Sequence, residues 1–177
     1  MKYNNNNNNN NSIMSKQTGE NSFKFISSEP KKFSGGSLWR ASAANFSALH
    51  GLAIQALDLK AGALREPHVH PNANQLDYCV SGHARVGIVG PEGHRQYLDL
   101  AEGDISFVPQ GHLHWIENLG KEPLRFLVVL SHEEPETIEL SDMVGGVPGK
   151  TIHQLFGLPA ETFKDIPKGG LRIKGGL

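Results

Sequence analysis

The sequence holds a single cysteine, Cys79, so no intrachain disulfide can form and nothing assigns the chain to an oxidising compartment. Its place in an apolar run marks it as a small core side chain rather than a nucleophile. No stretch of about 18 apolar residues is present, which excludes a transmembrane helix. Residues 1–20 are almost entirely polar and lack the apolar segment of a secretory signal, so a cytoplasmic location is the default expectation. A surplus of charge is missing too: 17 Lys and Arg stand against 18 Asp and Glu, a net charge of −1. That balance argues against nucleic acid and against an anionic membrane as partners. No internal repeat of useful length is visible.

What is present points to β structure. The 177 residues are enough for one domain and too few for two comfortable ones. The 20 glycines and 10 prolines punctuate many short apolar runs, a pattern of turn-rich strands. Residues 4–11 are an uninterrupted asparagine tract, and with the polar residues around it they suggest a disordered leader over 1–22. An arm with one or two edge strands follows over 23–46, then an irregular half-buried strand over 51–60. Beyond Gly82, residues 84–89, 95–100, 105–108, 114–118 and 124–130 read as strands, each bounded by Gly, Pro or polar turns. Strands this short and regular indicate a sandwich or barrel spanning 23–140 with its arm, not a parallel sheet. The remainder, 141–177, reads as a helical extension. Ser141 and Asp142 suit a helix start, 150–156 has helical apolar spacing, and 159–166 makes a second short helix stopped by Pro167.

Two histidine motifs carry the chemistry. His68 and His70 are separated by one residue, so on a strand both imidazoles face one way while Val69 faces the other. A turn over 71–74 leads into a strand beginning at Gln75, where an amide stands in the place natural for a third ligand. Further on, a strand and a Pro109 to Gly111 turn deliver His114 to the start of the next strand. If the two motifs face each other, His68, His70, Gln75 and His114 meet in the interior as a metal site.

These residues resemble the two cupin motifs. The first is matched by Gly62, His68, His70, Gln75 and Gly82, with Gln75 where the motif has glutamate; the second is matched at every defined position by Gly103, Pro109, Gly111, His114 and Asn118. Over about 35–167 the chain is similar to one domain of the two-domain oxalate decarboxylases and, more distantly, to germins. The resemblance implies an all-β double-stranded β-helix, a jelly-roll barrel with short C-terminal helices. It also implies a homodimer or higher homo-oligomer and a divalent metal held by three histidines and a carboxylate. Manganese is the ion the family implies. The neutral Gln75 leaves the site one unit more positive and keeps iron, nickel, copper and zinc open.

The same resemblance implies roles for other residues. Arg65 would pair with the distal carboxylate of a small substrate such as oxalate, while the metal takes the near one as a Lewis acid. Glu134 is the best match to a lid glutamate that moves a proton, with Glu133 close behind. The reading is thus a metal-dependent carboxy-lyase. Two alternatives stand beside it: a non-catalytic metal- or ligand-binding storage cupin, and a dioxygenase on another small substrate. Asp77 shares Gln75's face about 6.5 Å along the strand, which suits support of a ligand better than direct ligation; a plain salt bridge is the competing role. Arg65 could equally be a structural ion pair with Glu66 or Asp104. His112 reads as a turn residue, and Phe107 and Trp115 as barrel filling.

Overall fold

The structure of the protein, a computed structural model, describes residues 17–19, 21–167 and 169–176. The asparagine tract and most of the expected leader lie outside the described residues. Among the described residues of that stretch, β1 (Gln17–Gly19) pairs with β2 (Ser22–Phe23). Phe23 stacks on Phe46 with ring centroids 5.3 Å apart, an apolar anchor that local polarity does not signal.

Then follow β3 (Lys31–Phe33), β4 (Gly36–Ala41), β5 (Ala53–Leu59), β6 (Leu64–Val69), β7 (Gln75–Ser81), β8 (Ala84–Val89), β9 (Arg95–Leu100), β10 (Ile105–Val108), β11 (Leu113–Asn118) and β12 (Leu124–Leu130). The chain ends with β13 (Ile138–Glu139), α1 (Leu140–Gly146), α2 (Gly149–Phe156) and β14 (Ile173–Lys174). One sheet runs β10-β7-β12-β5-β4-β3; the other runs β13-β6-β11-β8-β9, with β14 also on β6. Neighbours pair antiparallel throughout, and the architecture is the expected all-β jelly roll.

Period-two alternation builds the core. Leu124, Phe126, Val128 and Leu130 of β12 are buried while the residues between them are half-buried. They join Leu57 and Leu59 of β5 with Val86, Ile88 and Ile116 of the facing sheet in one apolar cluster that includes Cys79. Full burial of each large side chain contributes about 1.5–3 kcal/mol. The same alternation corrects two expectations. Phe107 is 54% exposed, because its neighbours Ser106 and Val108 face inward. Trp115 likewise lies between buried His114 and Ile116 and turns outward, covering Gly87, where a Cβ would collide with the indole ring.

The tail is less helical than expected. α1 and α2 form, but 159–166 closes as turns through i→i−3 bonds such as Thr162 to Pro159 and Lys164 to Glu161. Pro167 ends the stretch, and the turns at Pro159 and Glu161 satisfy the local backbone donors without a continued i→i−4 ladder. The last described residues return to the sheet as β14, with Ile173 opposite Arg65.

Candidate metal centre

β6 supplies His68 and Arg65 through an irregularity. Residues three apart on a regular strand face opposite ways, yet His68 and Arg65 are both 3% exposed. His114 of β11 lies opposite His68 while Ile116 lies opposite Arg65, three steps on one strand against two on the other. This β-bulge falls at Glu66 and Pro67; proline has no N–H for the ladder, and the extra residue turns both side chains inward. His70 follows just beyond the strand and is 4% exposed. His114 comes from the adjacent β11 and Gln75 from β7 in the other sheet, so the site bridges the two layers.

The three imidazoles converge. One ring nitrogen from each of His68, His70 and His114 lies within 4.8 Å of the others. His68 Nδ1–H donates to the Glu66 carbonyl at 2.7 Å, His70 Nδ1–H to the Glu136 carbonyl at 2.7 Å, and His114 Nδ1–H to the His112 carbonyl at 3.0 Å. Carbonyl partners at Nδ1 leave Nε2 as the atom with the free lone pair on each ring. Burial is the main cause that lowers all three pKa values, His114 to about 3, and the positive charge of Arg65 adds to it. The rings are therefore neutral, the form a metal requires. His112 sits in the turn, where its carbonyl holds His114.

Gln75 is 1% exposed, and the two ends of its amide meet different groups, with His70 also within its hydrogen-bonding reach. Oε1 lies 3.1 Å from His114 Nε2, while Nε2 donates to Asp77 Oδ1 at 2.8 Å. Ser106 Oγ donates to the other Asp77 oxygen at 2.8 Å. Asp77 makes no salt bridge among the described residues; burial pushes its pKa up to about 7, against the pull of these two hydrogen bonds.

The donor set fits a metal ion. With Nδ1–H of His114 committed to a carbonyl, His114 Nε2 and Gln75 Oε1 face each other as two lone pairs, which repel unless a cation lies between them. Two donors bound at right angles, each about 2.1 Å from an ion, are roughly 3 Å apart, and the observed separation is 3.1 Å.

Arg65 and Glu134 are placed differently. Arg65 donates from both Nη atoms to Glu139, at 2.6 and 2.7 Å, in a fork with both side chains 3% exposed. Its ion-pair partner is thus neither the Glu66 nor the Asp104 carboxylate, although Nη1 also donates to the Glu66 carbonyl at 3.3 Å. Glu66 instead accepts from the Ser141 amide and from Arg172, so it serves as the acid at the start of α1. Glu134 is turned to the end of β4 and the segment after it, where its carboxylate meets Arg40, Ser42 and the Ala44 amide. Among the described residues no hydrogen bond joins its carboxylate to His68, His70 or His114. Glu133 accepts from the Gly51 amide. The sequence offers no sign of Glu139 or Ser106, because each reaches the site only through pairing between strands.

A family model described as cupin matches residues 24–162. The chain belongs to the cupin family. This cupin is 30% identical over 144 residues to the oxalate decarboxylase OxdC of Bacillus subtilis, covering 81% of this chain and 37% of that one. It is 28% identical over 117 residues to a probable germin-like protein, subfamily 2 member 5, of Arabidopsis thaliana, covering 66% of this chain and 55% of the relative. The solved structure of the Bacillus subtilis oxalate decarboxylase at pH 4.6 superposes with a TM-score of 0.81 at 26% identity, over 88% of this chain and 41% of that one. A further solved structure of that enzyme concerns its Mn(II) centers. The chain thus spans between about a third and somewhat more than half the length of these relatives. No helix among the described residues is long and apolar enough to cross a membrane.

Proposed function

We propose that this cupin holds one divalent metal ion on His68, His70, His114 and Gln75 Oε1 and acts on a small carboxylate such as oxalate as a carboxy-lyase. The observation that carries the reading is the convergence of neutral ring nitrogens, within 4.8 Å of one another, with a fourth donor 3.1 Å from one of them. Similarity to oxalate decarboxylases supports the substrate class, and their manganese centres favour manganese as the ion. The ion supplies Lewis acidity toward a carboxylate oxygen.

The protein side of the reaction falls to two residues. Arg65 sets a fixed positive charge that is felt at all three rings, which favours an anion beside them. Glu139 holds the guanidinium by both Nη atoms, so the substrate's distal carboxylate meets an arginine oriented in advance. Glu134 moves the proton only after leaving Arg40, Ser42 and Ala44, which requires the segment 131–137 to swing. A second reading, a non-catalytic metal-binding cupin, is favoured by these same intramolecular bonds, which occupy both candidate catalytic side chains.

Metal analysis of the purified protein, followed by assay of formate and carbon dioxide from oxalate under air, tests the proposal. Formation of both by metal-loaded protein, abolished by Arg65→Lys or Glu134→Gln, is expected; loaded protein that yields neither product rules out the lyase. We further propose self-association through the outer face of β7 and β10, where Leu76, Tyr78, Ile105 and Phe107 are each at least 43% exposed, in line with the homo-oligomer the family implies.

A further inference from the structure

A buried carboxylate with no cation partner requires explanation, since burying an uncompensated charge destabilises a fold. Asp77 is wholly buried at 0% exposure. Its oxygens accept one hydrogen bond each, from Gln75 Nε2 and from Ser106 Oγ. The candidate cation nearest in role, Arg65, is bound by Glu139. Asp77 therefore serves no ion pair among the described residues, and one of its two hydrogen bonds is to the back of the amide that faces the histidines.

We infer that Asp77 is the displaced carboxylate of the metal site, acting on the ion through Gln75. An amide has a donor end and an acceptor end, and either could face a ligand pocket. As a carboxylate Asp77 accepts only, so it takes the N–H end and leaves Oε1 pointing at His114 and the space between the rings. Hydrogen bonding to a carboxylate polarises the amide and raises the electron density on Oε1. The negative charge that a glutamate ligand would contribute directly is in this chain one side chain deeper. Ser106, directly opposite Asp77 in the β10–β7 register, holds the carboxylate in that orientation. The site then has the charge of a three-histidine, one-carboxylate centre while its fourth donor is neutral. Asp77 is a positioning residue here, and the inference rests on the metal-binding part of the proposed function.

The test compares Mn²⁺ affinities, measured by calorimetry on metal-stripped protein at about pH 8, where Asp77 is ionised, with the melting temperature of the stripped protein as a folding control. Asp77→Asn removes the charge but keeps the shape and, with the Ser106 hydroxyl accepting instead of donating, both hydrogen bonds. It is expected to weaken Mn²⁺ binding about 10- to 100-fold without lowering the melting temperature of the stripped protein. Combining it with Gln75→Glu moves the charge on to the ligand and is expected to bring affinity back to the level of the unchanged chain. Gln75→Glu alone sets two carboxylates against each other across the present 2.8 Å contact, so it should destabilise the stripped protein where the double variant does not. Asp77→Asn binding within twofold of the unchanged chain overturns the inference and leaves the metal site standing. An unchanged chain that takes up no Mn²⁺, Fe²⁺ or Zn²⁺ removes the metal reading and this inference with it. Should Asp77→Asn fail to fold, a crystal structure of the metal-loaded unchanged protein decides. Gln75 Oε1 toward the ion with Nε2 on Asp77 is the expected arrangement, and a reversed amide or Asp77 ligating directly overturns it.

Discussion

The single amide of Gln75 is where residue chemistry bears most on this site, because one side chain touches a histidine with one end and a carboxylate with the other. The titratable groups around it pull stability in opposite directions with pH. The histidines titrate lower in the fold than their ordinary 6.5, with His114 at about 3. Their neutral form thus contributes stability above about 6.5 that is lost as pH falls toward the folded values. Asp77 runs the other way, raised from 3.8 to about 7: its contribution is complete below 3.8 and is lost as pH rises through 7. Three bases outweigh one acid, so metal-free protein should lose stability as pH is lowered from 7 to 5, by about 1.4 kcal/mol per unit for each net proton taken up on unfolding. Chemical denaturation across that range is the check, and a flat profile contradicts a buried neutral cluster. The histidines are readable in the sequence because alternate spacing places them on one face. The role of Asp77 stays open there between support and salt bridge, since a spacing says which side chains share a face but not what lies on the opposite strand.

Among the elements, β6 carries the most. It holds Arg65 and His68 on one face only through its bulge, pairs with β11 and β13, and takes β14 along the same stretch. The Arg65–Glu139 fork ties it to the start of α1. Arg65→Ala should cost about 3–5 kcal/mol, because it leaves the Glu139 carboxylate buried without a partner. Replacing both residues by leucine should recover most of that loss. Urea unfolding of the three proteins measures it, and a double variant no better than the single one would falsify the buried-pair account. Strands 84–89, 95–100, 105–108 and 124–130 form with the bounds their Gly and Pro turns suggest. The bulge has no such local marker beyond Pro67, and 159–166 shows the limit of apolar spacing as a guide: the periodicity is helical, yet the backbone closes as successive i→i−3 turns before Pro167.

For the whole molecule, two sheets close over an apolar cluster and leave one outer face unusually greasy. Ile105 stands opposite Tyr78 and Phe107 opposite Leu76, so four large apolar side chains form one patch on the edge of the first sheet. Contiguous patches of this kind mark interaction surfaces. Sedimentation of the protein is expected to give a dimer or larger species that Phe107→Lys, an outward change without effect on the core, converts toward monomer. A monomer for the unchanged chain at micromolar concentration removes this patch as an interface. The tail contributes at the same scale: Arg172 reaches Glu66, so the end of the chain steadies the strand that bears the site.

Sequence alone pointed to the fold class, the strands with clear turns, and three histidines and an amide as candidate ligands, because alternation and turn chemistry are local and periodic. Only the tertiary structure decided that Arg65 belongs to Glu139, that Glu134 is held by Arg40 and the Ser42 segment, and that Phe107 and Trp115 face outward. It alone set Asp77 behind Gln75 with Ser106 across from it. Those contacts join residues far apart in the chain, and they depend on strand register and on one extra residue in β6, neither of which leaves a local periodic trace.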